Sequence, residues 1–87
     1  MTLDELRQVV EDLGYEDVRL FSEPDFADAF IGMSSDNRAV YSYPKMLGCL
    51  INRGMDEEEA VEFIEFNTLR ALPYYNDSPV VVFDTRQ

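Results

Sequence analysis

The stretch FADAFIGMSSDNRAVYSY, Phe26–Tyr43, decides the fold class. Ala27, Ala29, Ile31 and Met33 alternate with Phe26, Asp28, Phe30 and Gly32, the period of two that a strand requires. SSDNR follows, and it is turn chemistry: Ser and Asp hydrogen-bond locally, and Asn37 tolerates a left-handed backbone. AVYSY then reads as the returning strand. Ala27–Tyr43 is therefore expected to be a β-hairpin.

Helices are expected on both sides of it. TLDELRQVVEDLGY reads as a first helix, with Thr2 and Glu5 at capping-box spacing. Leu3, Leu6, Val10 and Leu13 form its apolar stripe, with Val9 beside it, and Gly14 is a stop signal. DVRLF supplies a short strand, Val18–Phe21, that SEPD breaks. PKMLGCLINRG is a second helix with Pro44 in its first turn, where the missing N–H costs little. Met46, Leu47, Leu50 and Ile51 are its core face, and Gly48 is a position where another element can approach closely. MDEEEAVEFIEFNTLRAL is a third helix, which Asp56 and Glu59 cap and Pro73 ends. YYNDSP is a loop, VVVFD is a last strand at Val80–Asp84, and the tail TRQ is expected to fray.

The predicted fold is α+β, one domain over residues 1–87. It has three helices and a small mainly antiparallel sheet of three to four strands, in the order α-β-β-β-α-α-β, with the helices on one face of the sheet. The place of the last strand in the sheet does not follow from the pattern. A chain of 87 residues buries roughly 60% of its unfolded surface, enough for one modest core.

Eighteen acidic against seven basic residues, with no His, give a net charge of −11. Such a surface repels a phosphate backbone, so direct nucleic-acid binding is not expected, and a basic protein surface is the natural complement. Solubility alone is the simpler account of the same charge. The single Cys49 excludes an internal disulfide. No apolar run reaches the length of a membrane span, and the N-terminus reads as a helix start rather than a leader. A soluble, cytoplasmic protein is expected.

Signs of catalysis are few. There is no His base, and Cys49 lies mid-helix among apolar neighbours, where it reads as a small core filler. No glycine-rich phosphate loop follows a strand. The run DEEE points successive side chains about 100° apart around a helix, so it does not converge on a metal ion. No enzyme activity, cofactor or metal is expected.

The third helix carries the functional expectation. Six acids occur in ten residues, Asp56, Glu57, Glu58, Glu59, Glu62 and Glu65, and no base lies between Gly54 and Leu69. Such a row can imitate the phosphates of DNA. Phe66 and Leu69 are neighbours on the same outer side and can anchor a basic partner, unless Tyr74 or Tyr75 covers them. Ala60, Phe63, Ile64 and Ala71 mark the inner face, with Asn67 in its middle and Arg70 at its edge. Asn67 and Arg70 therefore read as an internal brace. Arg70 can reach a carboxylate or stack on a tyrosine, and Asn67→Ala is expected to lower thermal stability.

AVYSYPKML followed by GMDEEEAVEFIEFNTLRALPYY resembles small acidic proteins of unknown function found in bacterial genomes and prophages. The shared pattern is A-x-E-[FY]-I-x-x-N-T-x-R-A-x-P-Y, matched by Ala60, Glu62, Phe63, Ile64, Asn67, Thr68, Arg70, Ala71, Pro73 and Tyr74. The likeness covers about half the chain and carries no catalytic role. By analogy of size, charge and setting, it implies a non-enzymatic phage or prophage inhibitor of a nucleic-acid-directed host defence enzyme, of anti-CRISPR or anti-restriction type. The alternative is a homo-oligomeric, for instance homodimeric, housekeeping or regulatory protein that makes contact through its apolar patch.

Overall fold

The computed structural model describes residues 1–22, 24–74 and 78–84. Helix α1 is Leu3–Asp12, strand β1 Phe30–Met33 and strand β2 Ala39–Ser42. Helix α2 is Tyr43–Ile51, helix α3 Glu57–Phe63 and strand β3 Val80–Val82. The class is α+β, with a sheet ordered β1-β2-β3.

Local chemistry sets the starts of the helices. The Thr2 hydroxyl accepts from the Glu5 N–H at 3.2 Å, and the Glu5 carboxylate accepts from the Thr2 N–H at 2.8 Å, the reciprocal capping box. Asp56 and Glu59 repeat it on α3 at 2.8 and 3.1 Å. The Ser42 hydroxyl caps α2, and Pro44 falls in its first turn. The hairpin turn closes with Asn37 left-handed, at φ 66°. Gly54, at φ 106°, stands just after α2.

The hairpin is shorter than its alternation predicts. The Asp25 carboxylate accepts from the Ala27 N–H at 3.0 Å, and the Ala29 N–H donates to the Phe26 carbonyl at 2.9 Å. These bonds wind Ala27–Ala29 into a 3₁₀ turn and leave β1 to start at Phe30. Phe26 itself is left-handed, at φ 48°. Burial of its ring, edge-on to Phe21 at 5.6 Å, offsets that strain. Between Phe30 and Gly32 the register with β2 slips by one residue, and Ile31 bulges outward.

Val18–Phe21 forms no strand. Its Phe21 N–H donates to the Tyr41 hydroxyl at 3.3 Å, a side-chain acceptor in place of a ladder partner. Val18, Leu20 and Phe21 still pack on the core, from irregular backbone.

The sheet is mixed, not mainly antiparallel. β1 and β2 are antiparallel, but β3 lies parallel to β2, pairing Val40 with Val80, Tyr41 with Val81 and Ser42 with Val82. A parallel partner needs a long crossover, and α2 and α3 provide it. Side chains clamp both ends of the pairing. An Arg38 guanidinium N–H donates to the Ser78 carbonyl at 3.3 Å, and the Ser42 hydroxyl donates to Asp84 at 2.7 Å.

One core joins Leu6 and Val10 of α1, Phe26, Ala27, Ala29, Ala39 and Tyr41, Met46 and Leu50 of α2, and Ala60 and Ile64 of the third helical run. Leu13 and Ile51, expected on core faces, are exposed at the helix ends. Gly48 admits no close neighbour: a Cβ there would meet nothing within 4 Å.

The third helical run is not one α-helix. After α3 the chain widens into a π turn over Ile64–Thr68 and then tightens into 3₁₀ over Leu69–Tyr74. The Leu69 N–H is shared between the Glu65 carbonyl four residues back and the Ile64 carbonyl five residues back. This turn holds one residue more than an α turn, so each later side chain lags by one position. Thr68 arrives on the inner face, 7% exposed, where Asn67 was expected, and Asn67 turns out to solvent. The side chains of Ala71, Pro73 and Tyr74, the residues Tyr75–Asp77 of the expected loop and the tail Thr85–Gln87 lie outside the described residues.

Candidate docking face on the third helical run

Asp56, Glu57, Glu58, Glu59, Glu62 and Glu65 are all exposed. The capping box holds Asp56 and Glu59 in place, and the positive end of the helix favours all the acids of the first turn. The ion pairs among the described residues lie elsewhere: the Met1 amino group with Asp28 at 2.6 Å, Arg38 with Asp36 at 3.2 Å, and Arg53 with Asp25 at 3.7 Å.

Phe66 and Leu69, paired by spacing, part company in the structure. Phe66 is 60% exposed. Leu69 is half-buried and packs against the core, because the π turn rotates it inward with Thr68. Leu69 is thus not an outward anchor. Arg70 is exposed, and its guanidinium lies over the Phe66 ring, 5.1 Å from the centroid. The expected internal brace of Asn67 and Arg70 is corrected accordingly. Both are on the surface, and Arg70 stacks on Phe66.

Beside Phe66 the surface opens into a depression of about 360 Å³, lined by Met55, Glu59, Glu62, Phe63, Phe66 and Asn67. Three apolar side chains line it, Met55, Phe63 and Phe66, together with two carboxylates and an amide. Asn67 also borders a second depression, with Phe21, Phe26, Thr68 and Pro79 among its walls.

Glu65 faces a different neighbour, Tyr43. Burial, and then the charge of the Glu65 carboxylate, push the Tyr43 hydroxyl up from its ordinary value. The Tyr43 ring stacks on Phe83 at 4.4 Å, and Phe83 is 61% exposed. Sequence reasoning missed Tyr43, Phe83, Met55 and Phe63 as surface neighbours of the acids. The exposure of Phe83 depends on where β3 sits, which no local pattern reveals. Phe63 reads as an ordinary inner-face position, and Met55 lies ahead of the helix and outside its stripe.

Cys49 is half-buried, and burial pushes its thiol up, away from the reactive thiolate. Among the described residues, no group of three or more His, Cys, Asp or Glu side chains could hold a metal ion. Among the same residues, no helix is long and apolar enough to cross a membrane. Comparison with protein-family models, curated proteins and solved structures finds no match to this chain.

Proposed function

We propose that this protein is a non-enzymatic binding module whose acidic face docks on a basic protein surface. The carrying observation is the exposure of all six carboxylates of the 56–65 segment, on a surface whose resolved ion pairs lie elsewhere. Exposed carboxylates on a hydrogen-bonded scaffold present their field to an incoming cationic partner, speed encounter and discriminate against acidic surfaces. A nucleic-acid-directed enzyme carries such a basic surface, and an acidic module seated there blocks its substrate. The likeness to prophage proteins points this reading towards inhibition of a host defence enzyme.

The test is plating of a restricted phage on cells that express the protein. Plating should rise with the unaltered chain and not with Glu57→Lys/Glu58→Lys, two positions that neither cap α3 nor line the depression. A rise with both, or with neither, removes the acidic-face inhibitor reading.

A second reading, a homo-oligomer, draws support from Phe83, exposed at the end of the edge strand β3. Concentration-dependent sedimentation that Phe83→Ser abolishes would establish it.

A further inference from the structure

We infer that the depression between Met55, Phe63 and Phe66 seats an arginine side chain of the partner, and that it selects arginine over lysine. The inference rests on the acidic-docking reading and adds which basic side chain the face takes and where. The apolar part of the lining, Met55, Phe63 and Phe66, suits the aliphatic stem of a long cationic side chain, which buries its methylenes while its head stays polar. Glu59 and Glu62 line the same depression and can meet the head. Glu59 is held there, since its carboxylate accepts from the Asp56 N–H at 3.1 Å. An anchored carboxylate loses little freedom when it accepts a second donor.

Two observations favour a guanidinium over an ammonium. Phe66 already carries one: Arg70 lies over its ring at 5.1 Å, outside the walls of the depression. The ring is thus shown to accept a planar cation, and its exposed remainder borders the depression. Asn67 adds an amide to the same lining, so that acceptors of two kinds are available to a fork of five donors. Lysine presents a compact, strongly hydrated charge and gains less from a ring. The π turn creates this arrangement. On a regular α-helix Asn67 would face inward, and the depression would lose its amide.

The probes are an oligoarginine and an oligolysine peptide of equal length, titrated calorimetrically at low salt, with amide NMR shifts locating the contact. Both peptides should bind, and oligoarginine should bind about two- to fivefold tighter, the range of an exposed cation–π contact. Phe66→Ala should remove that advantage, weakening oligoarginine more than oligolysine. Phe66 is mostly exposed, so the variant should fold, as circular dichroism would confirm. Glu57→Gln/Glu58→Gln, outside the depression, should weaken both peptides alike. Equal binding of the two peptides by the unaltered chain, or an advantage that survives Phe66→Ala, overturns the arginine seat and leaves the docking reading standing. Failure of both peptides to bind overturns the two together.

Discussion

Arg70 holds its guanidinium 5.1 Å from the centre of the Phe66 ring, four residues earlier along a chain that is neither α nor 3₁₀ throughout. Both side chains are exposed, so the contact shapes the surface more than it stabilises the fold. Arg70→Ala should cost no more than about 1 kcal/mol in urea unfolding. A larger loss would show that Arg70 braces the interior after all.

Asn67→Ala should change stability by less than about 0.5 kcal/mol, since the amide is exposed. This reverses the expectation from spacing alone. Thr68→Asp, one residue on, would bury an unpaired charge and should cost at least about 2 kcal/mol. Thermal unfolding of the two variants, followed by circular dichroism, checks the π turn directly. Equal losses would argue for a regular helix.

Tyr41 is fully buried, and burial pushes its hydroxyl up to about 12 from 10.0. The folded form holds the proton more tightly than the unfolded form does. The resulting stabilisation is whole below pH 10.0 and is lost as pH rises through about 12. The urea midpoint should fall over that window, and Tyr41→Phe should flatten the fall. Because the hydroxyl also accepts from the Phe21 N–H, Tyr41→Phe should cost about 1–3 kcal/mol at neutral pH.

Ser42 caps α2 and donates to Asp84 beyond β3, so one hydroxyl ties a helix start to a strand end. Ser42→Ala should cost about 1–2 kcal/mol. A double-mutant cycle with Asp84→Ala should show coupling, because the two residues share one bond. Additive losses would mean that β3 is seated by its backbone alone.

A net charge of −11 on 87 residues opposes compaction. Raising salt from about 0.01 M to about 1 M shortens the screening length from roughly 30 Å to roughly 3 Å. The unfolding midpoint should rise, by about 4–8 °C for each kcal/mol of repulsion removed. A midpoint that falls with salt would mean that the ion pairs outweigh the repulsion.

Much of the fold is legible because its signals are short. The capping boxes of Thr2 with Glu5 and Asp56 with Glu59 each close within three residues, and both form as spacing predicts. Asn37 turns the hairpin for the same local reason. Alternation misleads at Phe26–Ala29, because the Asp25 carboxylate captures a backbone donor that the pattern assigns to a ladder. The candidate face is half legible. Its acids announce themselves by composition, but Phe63 resembles any core-stripe residue until it is seen to line the depression with Met55.

The amino-acid sequence by itself determined where the helices begin, where the hairpin turns and which segment carries unbroken negative charge. Each of these depends on bonds or charges within a few residues. Tertiary structure alone decided that β3 lies parallel to β2 and that the third helical run widens at Ile64–Thr68. It also decided that Phe66 faces solvent while Leu69 packs inward. Those outcomes depend on contacts between distant segments, such as Arg38 with Ser78 and Ser42 with Asp84. A helix that gains or loses one residue per turn exchanges one backbone acceptor for another, so the packing of its side chains selects the register.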